Sequence, residues 1–182
     1  MPPRATAARN RAAYLVTDDL LRRYDGVMSP KPKTYVETSV VSYLTAWPSR
    51  DLVLAAHHRD WWATRRSYEL FTSQFVLDEA AAGDKSAAAS RLVALEEAVL
   101  LDVTEDAIVL AKSLVRGGGL PGKARVDALH VAMAAVHGMN YLLTWNCTHI
   151  ANASLRSRIE DLCRFGGFEP PVICTPLELP KE

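Results

Sequence analysis

Neither sign of charge dominates this chain: 21 Lys and Arg balance 21 Asp and Glu, for a formal net charge of +0. A zero balance supplies no global field toward nucleic acid, so any such contact needs a local patch. Cysteine is scarce. Cys147, Cys163 and Cys174 are an odd, dispersed set without a CxxC pair, which argues against zinc and a disulfide framework and for a reducing cytoplasm. No apolar run reaches about 18 residues, which excludes a conventional transmembrane helix. Internal repeats are absent as well. What is left is 182 residues, 49% hydrophobic and 23% charged, the composition of one globular domain long enough to bury a core.

The first 16 residues are rich in Ala and Arg and contain no acid, a loose likeness to a transit peptide. They hold no apolar h-region, so a secretory signal is excluded. The simpler expectation is a flexible tail and one short helix, Thr17 to Tyr24, with Asp18 and Asp19 in its first turn as the helix dipole prefers. Pro30 and Pro32 then mark a linker. Residues 1–32 read as an extension and residues 33–182 as the domain.

Within the domain, short apolar strands alternate with helices. Lys33 to Glu37 predicts a first strand, and Thr38-Ser39 suits the cap of the next helix. Pro48 ends that helix, and a longer one is expected from Asp51 to Phe71. Helices follow at Ser73 to Gly83, Lys85 to Ala98, Thr104 to Arg116, Lys123 to His137 and Asn152 to Phe165. Strands are expected at Val99 to Val103, Tyr141 to Thr144 and Val172 to Cys174. This alternation argues for a three-layer α/β/α fold around a central parallel sheet.

Two motifs carry less than they first suggest. Gly117 to Ala124, GGGLPGKA, has the spacing of a Walker A loop. Ala124 stands where the magnesium-binding hydroxyl belongs, and the loop follows a helix rather than a strand, so nucleotide binding is rejected. His57 and His58 are adjacent, so they point to different helix faces and cannot chelate together. Trp61, with Leu54 and Tyr68 at helical spacing, reads as a packing stripe, either core or dimer contact.

The carboxylates are the sharper signal. Glu37 ends an apolar strand, Glu79 sits in QFVLDEAAAG, and Asp127 lies among Val126, Ala128, Leu129 and Val131, with His130 one turn away. A lone buried carboxylate costs several kcal/mol, about 3–5, unless it is paired or bound to a cation. Asn146 follows a short apolar strand and can offer an amide oxygen. Hard oxygen donors of this kind suit Mg2+ or Mn2+ rather than zinc.

TYVETSVVSYL, FVLDEAAAG, VDALHVAMAAVHGMNYLLTWN and the trailing THIAN together resemble the PIN domain, in particular the VapC-like group of toxin–antitoxin ribonucleases. The resemblance runs from about Lys33 to Leu179. It implies an acidic quartet at Glu37, Glu79 (with Asp78 as the alternative), Asp127 and Asn146, holding Mg2+ or Mn2+. Thr38, Ser39, Thr144 and His130 would support it. Two positions depart from the family pattern: Glu37 replaces the usual Asp, and Asn146 replaces an acid. The implied activity is metal-dependent endoribonuclease cleavage, with a catalytically weak module that binds RNA or a protein partner as the alternative. Lys123 and Arg125, near Asp127 in an acid-free basic stretch, and Arg156 and Arg158, beyond Asn146, are the RNA-binding candidates. The partners so implied are RNA, a small antitoxin protein and a second copy of the chain, with no membrane.

Overall fold

The computed structural model describes residues 30–45 and 59–179. The compact unit begins at Lys31, and the expected helix at 17–24, like Leu54, His57 and His58, lies outside the described residues. Five strands form one sheet: β1 Lys33–Val36, β2 Glu69–Ser73, β3 Val99–Leu101, β4 Tyr141–Leu143 and β5 Val172–Cys174. All neighbours pair parallel, in the order β3-β2-β1-β4-β5. Between them run α1 Thr38–Thr45, α2 Gln74–Ala81, α3 Lys85–Leu95, α4 Glu105–Arg116, α5 Arg125–Val136 and α6 Ala153–Phe165.

The topology dictates two helix layers. Chain order steps from β1 to β2 to β3 in one direction, then returns across the sheet to β4 and β5. Right-handed crossovers therefore put α1 to α3 on one face and α4 to α6 on the other. The packing agrees: α1, α2 and α3 contact one another, and α4 packs against both α5 and α6. The three-layer α/β/α expectation holds.

Local chemistry sets the helix ends. Thr104 accepts the Ala107 N–H at 3.2 Å to start α4, Asp84 accepts from Ser86 and Ala87 at 3.0 Å each to start α3, and Asn152 accepts from Ser154 at 2.9 Å to start α6. Gly138, at φ +63°, closes α5 in the left-handed conformation that glycine adopts without strain. Helix α5 is buried nearly all round, from Ala128 through Ala135 apart from the partly exposed Leu129. Such a helix lies at the centre of its layer, which explains its Ala-rich sequence.

One expected element is different. The helix predicted to reach Phe71 ends at residue 64, a 3-10 turn spans Arg65–Ser67, and Glu69–Phe71 belong to strand β2. Leu70, Phe71, Thr72 and Ser73 are all buried between β1 and β3. A doubly covered parallel strand needs no polar alternation, so five residues of it are readily mistaken for the end of an amphipathic helix. The Trp61 stripe turns inward: Trp61 is fully buried and stacks 5.8 Å from Tyr68, which meets Tyr141 edge-on at 6.3 Å.

The sheet order has a functional consequence. Its direction reverses between β1 and β4, and ligands in open α/β sheets collect beyond the carboxyl ends of strands at such a switch point. Glu37 directly follows β1, and Thr144 to Asn146 directly follow β4.

Candidate active site at the switch point

Glu37 is almost fully buried, and its N–H reaches the Leu143 carbonyl at 3.3 Å, so the strand pairing of β1 with β4 fixes its backbone. Its carboxylate folds back on the start of α1. Oε2 accepts the Ser39 N–H at 2.9 Å, and Oε1 accepts the Ser39 hydroxyl. The same Ser39 oxygen accepts the Trp145 N–H at 2.7 Å. One serine thus ties the first acid to the loop after β4.

Glu79 comes from α2 and meets Thr38 and His130 on one oxygen. The Thr38 hydroxyl donates to Oε2, and His130 Nε2 stands 3.1 Å from that atom. Burial pushes Glu79 upward, but the hydrogen bonds from His130 and Thr38 and the His130 charge outweigh it, so the carboxyl sits below its usual range. Asp78, the alternative ligand, is exposed like Glu79, but its carboxylate accepts from Gln74 Nε2 at 2.7 Å one turn back on its own helix.

Behind Glu79 lies a buried relay. His130 Nδ1 is 3.0 Å from the Tyr35 hydroxyl, and that hydroxyl is 2.6 Å from Ser73 Oγ. An ionised Glu79 can only accept, so His130 donates from Nε2; with the imidazole neutral, Nδ1 is the acceptor for the Tyr35 hydroxyl. Tyr35 then accepts from Ser73. Burial, followed by the charges of Glu37 and Glu79, drives the Tyr35 hydroxyl far above its usual range, although the Ser73 bond pulls the other way. Both carboxylates therefore act on one buried phenol.

Asp127 opens the second half of the site. Its Oδ1 accepts from Asn146 Nδ2 at 3.0 Å, and its Oδ2 stands 2.7 Å from His149 Nδ1. The Asn146 amide oxygen accepts the His149 N–H at 3.1 Å, and its own N–H reaches the buried Thr144 hydroxyl at 2.8 Å. Both ends of the Asn146 side-chain amide are thus engaged, one with Asp127 and one with the loop backbone. His130, one turn after Asp127 on α5, contacts Glu79 and not Asp127.

A family model for the PIN domain matches residues 34–146, well over half of the chain, and spans every one of these acids. The chain belongs to the PIN domain family. The crystal structure of VapBC2 from Rickettsia felis bound to a DNA fragment from their promoter is similar at 14% identity and a TM-score of 0.49, covering 79% of this chain and 98% of that chain. No curated protein matches.

This PIN domain spreads its basic candidates unevenly. Lys123 and Arg125 are exposed beside the start of α5. Arg158 is exposed, but its Nε donates to the Gly117 carbonyl at 2.8 Å, which pins α6 to the glycine loop. Arg156 is half-buried, with a buried Nε that has no hydrogen-bond partner. In the glycine loop itself, the N–H groups of Gly117, Gly119 and Leu120 are taken by carbonyls of α4 at 2.8, 2.9 and 3.1 Å. A phosphate cradle needs those amides unspent.

Sequence reasoning missed Tyr35, Ser73 and the role of His149. The signal for Tyr35 was present: a phenol inside a fully buried strand must find a hydrogen-bond partner. The His149 contact has no such signal, because nothing in the spacing shows that the loop curls back on Asp127.

Proposed function

We propose that this PIN domain is a metal-dependent endoribonuclease that hydrolyses RNA phosphodiester bonds, and that it is the toxin of a two-protein toxin–antitoxin pair. The observation that carries the reading is the grouping of Glu37, Glu79 and Asp127, from three different elements, around the carboxyl ends of β1 and β4. Acids brought together beyond the strand ends at a sheet switch point stand where α/β sheets collect their ligands, and their charge suits a cationic one.

The donor set is right in kind for Mg2+ or Mn2+: three carboxylates, all hard oxygen donors. Among the described residues no group of three His, Cys, Asp or Glu side chains stands close enough to hold an ion. A cation shared by all three would therefore require these carboxylates to shift toward one another. Glu37, Glu79 and Asp127 are the residues that would hold it, with Asn146 an outer ligand. When bound, such an ion acidifies a water and offsets charge on the scissile phosphate.

The chain's own residues do the rest. Ser39 and Thr38 orient the two glutamates, Thr144 fixes the turn that carries Asn146, and His130 holds Glu79 from behind. Lys123 and Arg125 supply phosphate contacts on the approach to Asp127, with Arg156 and Arg158 farther along. The partners of this reading are RNA, a small antitoxin and a second copy of the chain, acting in the cytoplasm. No helix among the described residues is long and apolar enough to cross a membrane.

The test is cleavage of RNA by purified protein with Mn2+, wild type against Asp127→Ala. Removing the acid should abolish at least about 100-fold of the activity, the scale expected for a group that acts on the reacting centre. Equal cleavage by both proteins overturns the site. Absence of cleavage by the wild type, with RNA still retained, favours a binding module instead, which Asn146 in place of an acid would suit.

A further inference from the structure

Asp127, Asn146 and His149 close a hydrogen-bonded ring. Asn146 Nδ2 donates to Asp127 Oδ1 at 3.0 Å, His149 Nδ1 stands 2.7 Å from Oδ2, and the His149 N–H returns to Asn146 Oδ1 at 3.1 Å. An ionised carboxylate only accepts, so the proton lies on His149 Nδ1. That is the less common tautomer of an unconstrained imidazole, and it is opposite to the one His130 adopts against Glu79. Among the described residues nothing bonds His149 Nε2.

The backbone N–H of His149 already ties the loop to Asn146, and the Ala151 N–H reaches the Asn146 carbonyl at 2.9 Å. The turn does not need the imidazole to hold its shape. The side chain spends its proton on Asp127 alone, from a position that is only one-fifth exposed. Where an acid at position 146 would repel Asp127, the chain sets an amide and an imidazole, both donors.

We propose that His149 is a positioning residue of the active site: it fixes the orientation of the Asp127 carboxylate, and with Asn146 it forms a donor pair in place of a fourth acid. The proposal rests on the nuclease reading for its effect on the cation, but not for the ring itself. Groups that orient metal-binding carboxylates typically change metal affinity or activity by about 10–100-fold when removed.

Two measurements separate the ring from the nuclease reading. Long-range 15N NMR, with the pH raised until the imidazole is neutral, should find His149 protonated on Nδ1 in the wild type and protonated on Nε2 in Asp127→Ala. The same Nε2 tautomer in both proteins overturns the proposal, whether or not RNA is cleaved. Calorimetry with Mn2+ should then show His149→Ala roughly 10–100-fold weaker than wild type, with His149→Asn restoring most of the loss because its amide N–H can stand where Nδ1–H stood. Wild-type affinity in His149→Ala, or an Asn variant no better than the Ala one, also overturns it. A wild type with the Nδ1 tautomer that binds no Mn2+ leaves the ring standing and sinks the metal-dependent reading instead.

Discussion

His130 Nε2 lies 3.1 Å from Glu79 Oε2 while its Nδ1 lies 3.0 Å from the Tyr35 hydroxyl, so one buried imidazole joins a site acid to the interior of the sheet. Tyr35 in turn meets Ser73 at 2.6 Å. Every member of this chain depends on the next for its hydrogen bond. Tyr35→Phe deletes the central hydroxyl and leaves Ser73 and His130 buried with one bond fewer each. Loss of about 1–3 kcal/mol is expected from such unsatisfied groups. Urea denaturation should find a lower midpoint at unchanged slope, and stability equal to wild type would remove the relay from the folding argument.

The glycine loop offers a cleaner steric contrast. A Cβ on Gly119 would lie 2.9 Å from Leu162 Cδ1 and 3.2 Å from the Leu114 carbonyl oxygen, whereas one on Gly122 meets nothing within 4 Å. Gly119→Ala should cost about 1–3 kcal/mol by overpacking α6 against the loop. Gly122→Ala should be neutral or stabilising by less than about 1 kcal/mol. Thermal melts of the pair check this, and equal melting temperatures contradict it.

Much of this fold was legible because each signal was local. Thr104 with Glu105 and Asp106, Asn152 and Gly138 all mark helix ends by chemistry that neighbouring residues complete. Strand β5 fell on Val172–Cys174 as expected. Strand β2 was not legible, since Glu69–Ser73 is a strand only because β1 and β3 lie on either side of it. The site divides the same way. Glu37, Glu79 and Asp127 stand out as acids in apolar settings, and Thr38 and Ser39 follow from the first of them. The Asp127–His149 contact spans 22 residues and a loop whose course depends on Asn146, so no pattern along the chain announces it.

Acid should reveal the hold of His130 and Thr38 on Glu79. The folded carboxyl titrates below its ordinary 4.5, because those bonds outweigh the upward push of burial. A group depressed in the folded state contributes stability above its unfolded value and loses it as pH falls through the folded one. The contribution is therefore complete above about pH 4.5 and declines only below it. The stability gap between wild type and Glu79→Gln, followed by urea titration, should shrink as pH drops below that point. A gap that stays constant to lower pH would show that Glu79 gains nothing from its partners.

Asn146→Asp sets a second carboxylate beside Asp127, and its effect should depend on metal. The amide nitrogen it removes faces Asp127 Oδ1 at 3.0 Å, so the new carboxylate would set two anionic acceptors against each other. Like charges at that distance force one of them to hold a proton or to take a cation. In a chelator the variant should be less stable than wild type by about 1–3 kcal/mol, the cost of a lost donor on a partly buried charge. Mn2+ should then stabilise the variant more than the wild type, because binding to the folded state shifts the equilibrium by mass action. Melting curves with and without Mn2+ measure both effects. Equal stability in chelator with no extra response to Mn2+ would mean that the Asn146 donor does not hold Asp127 in solution.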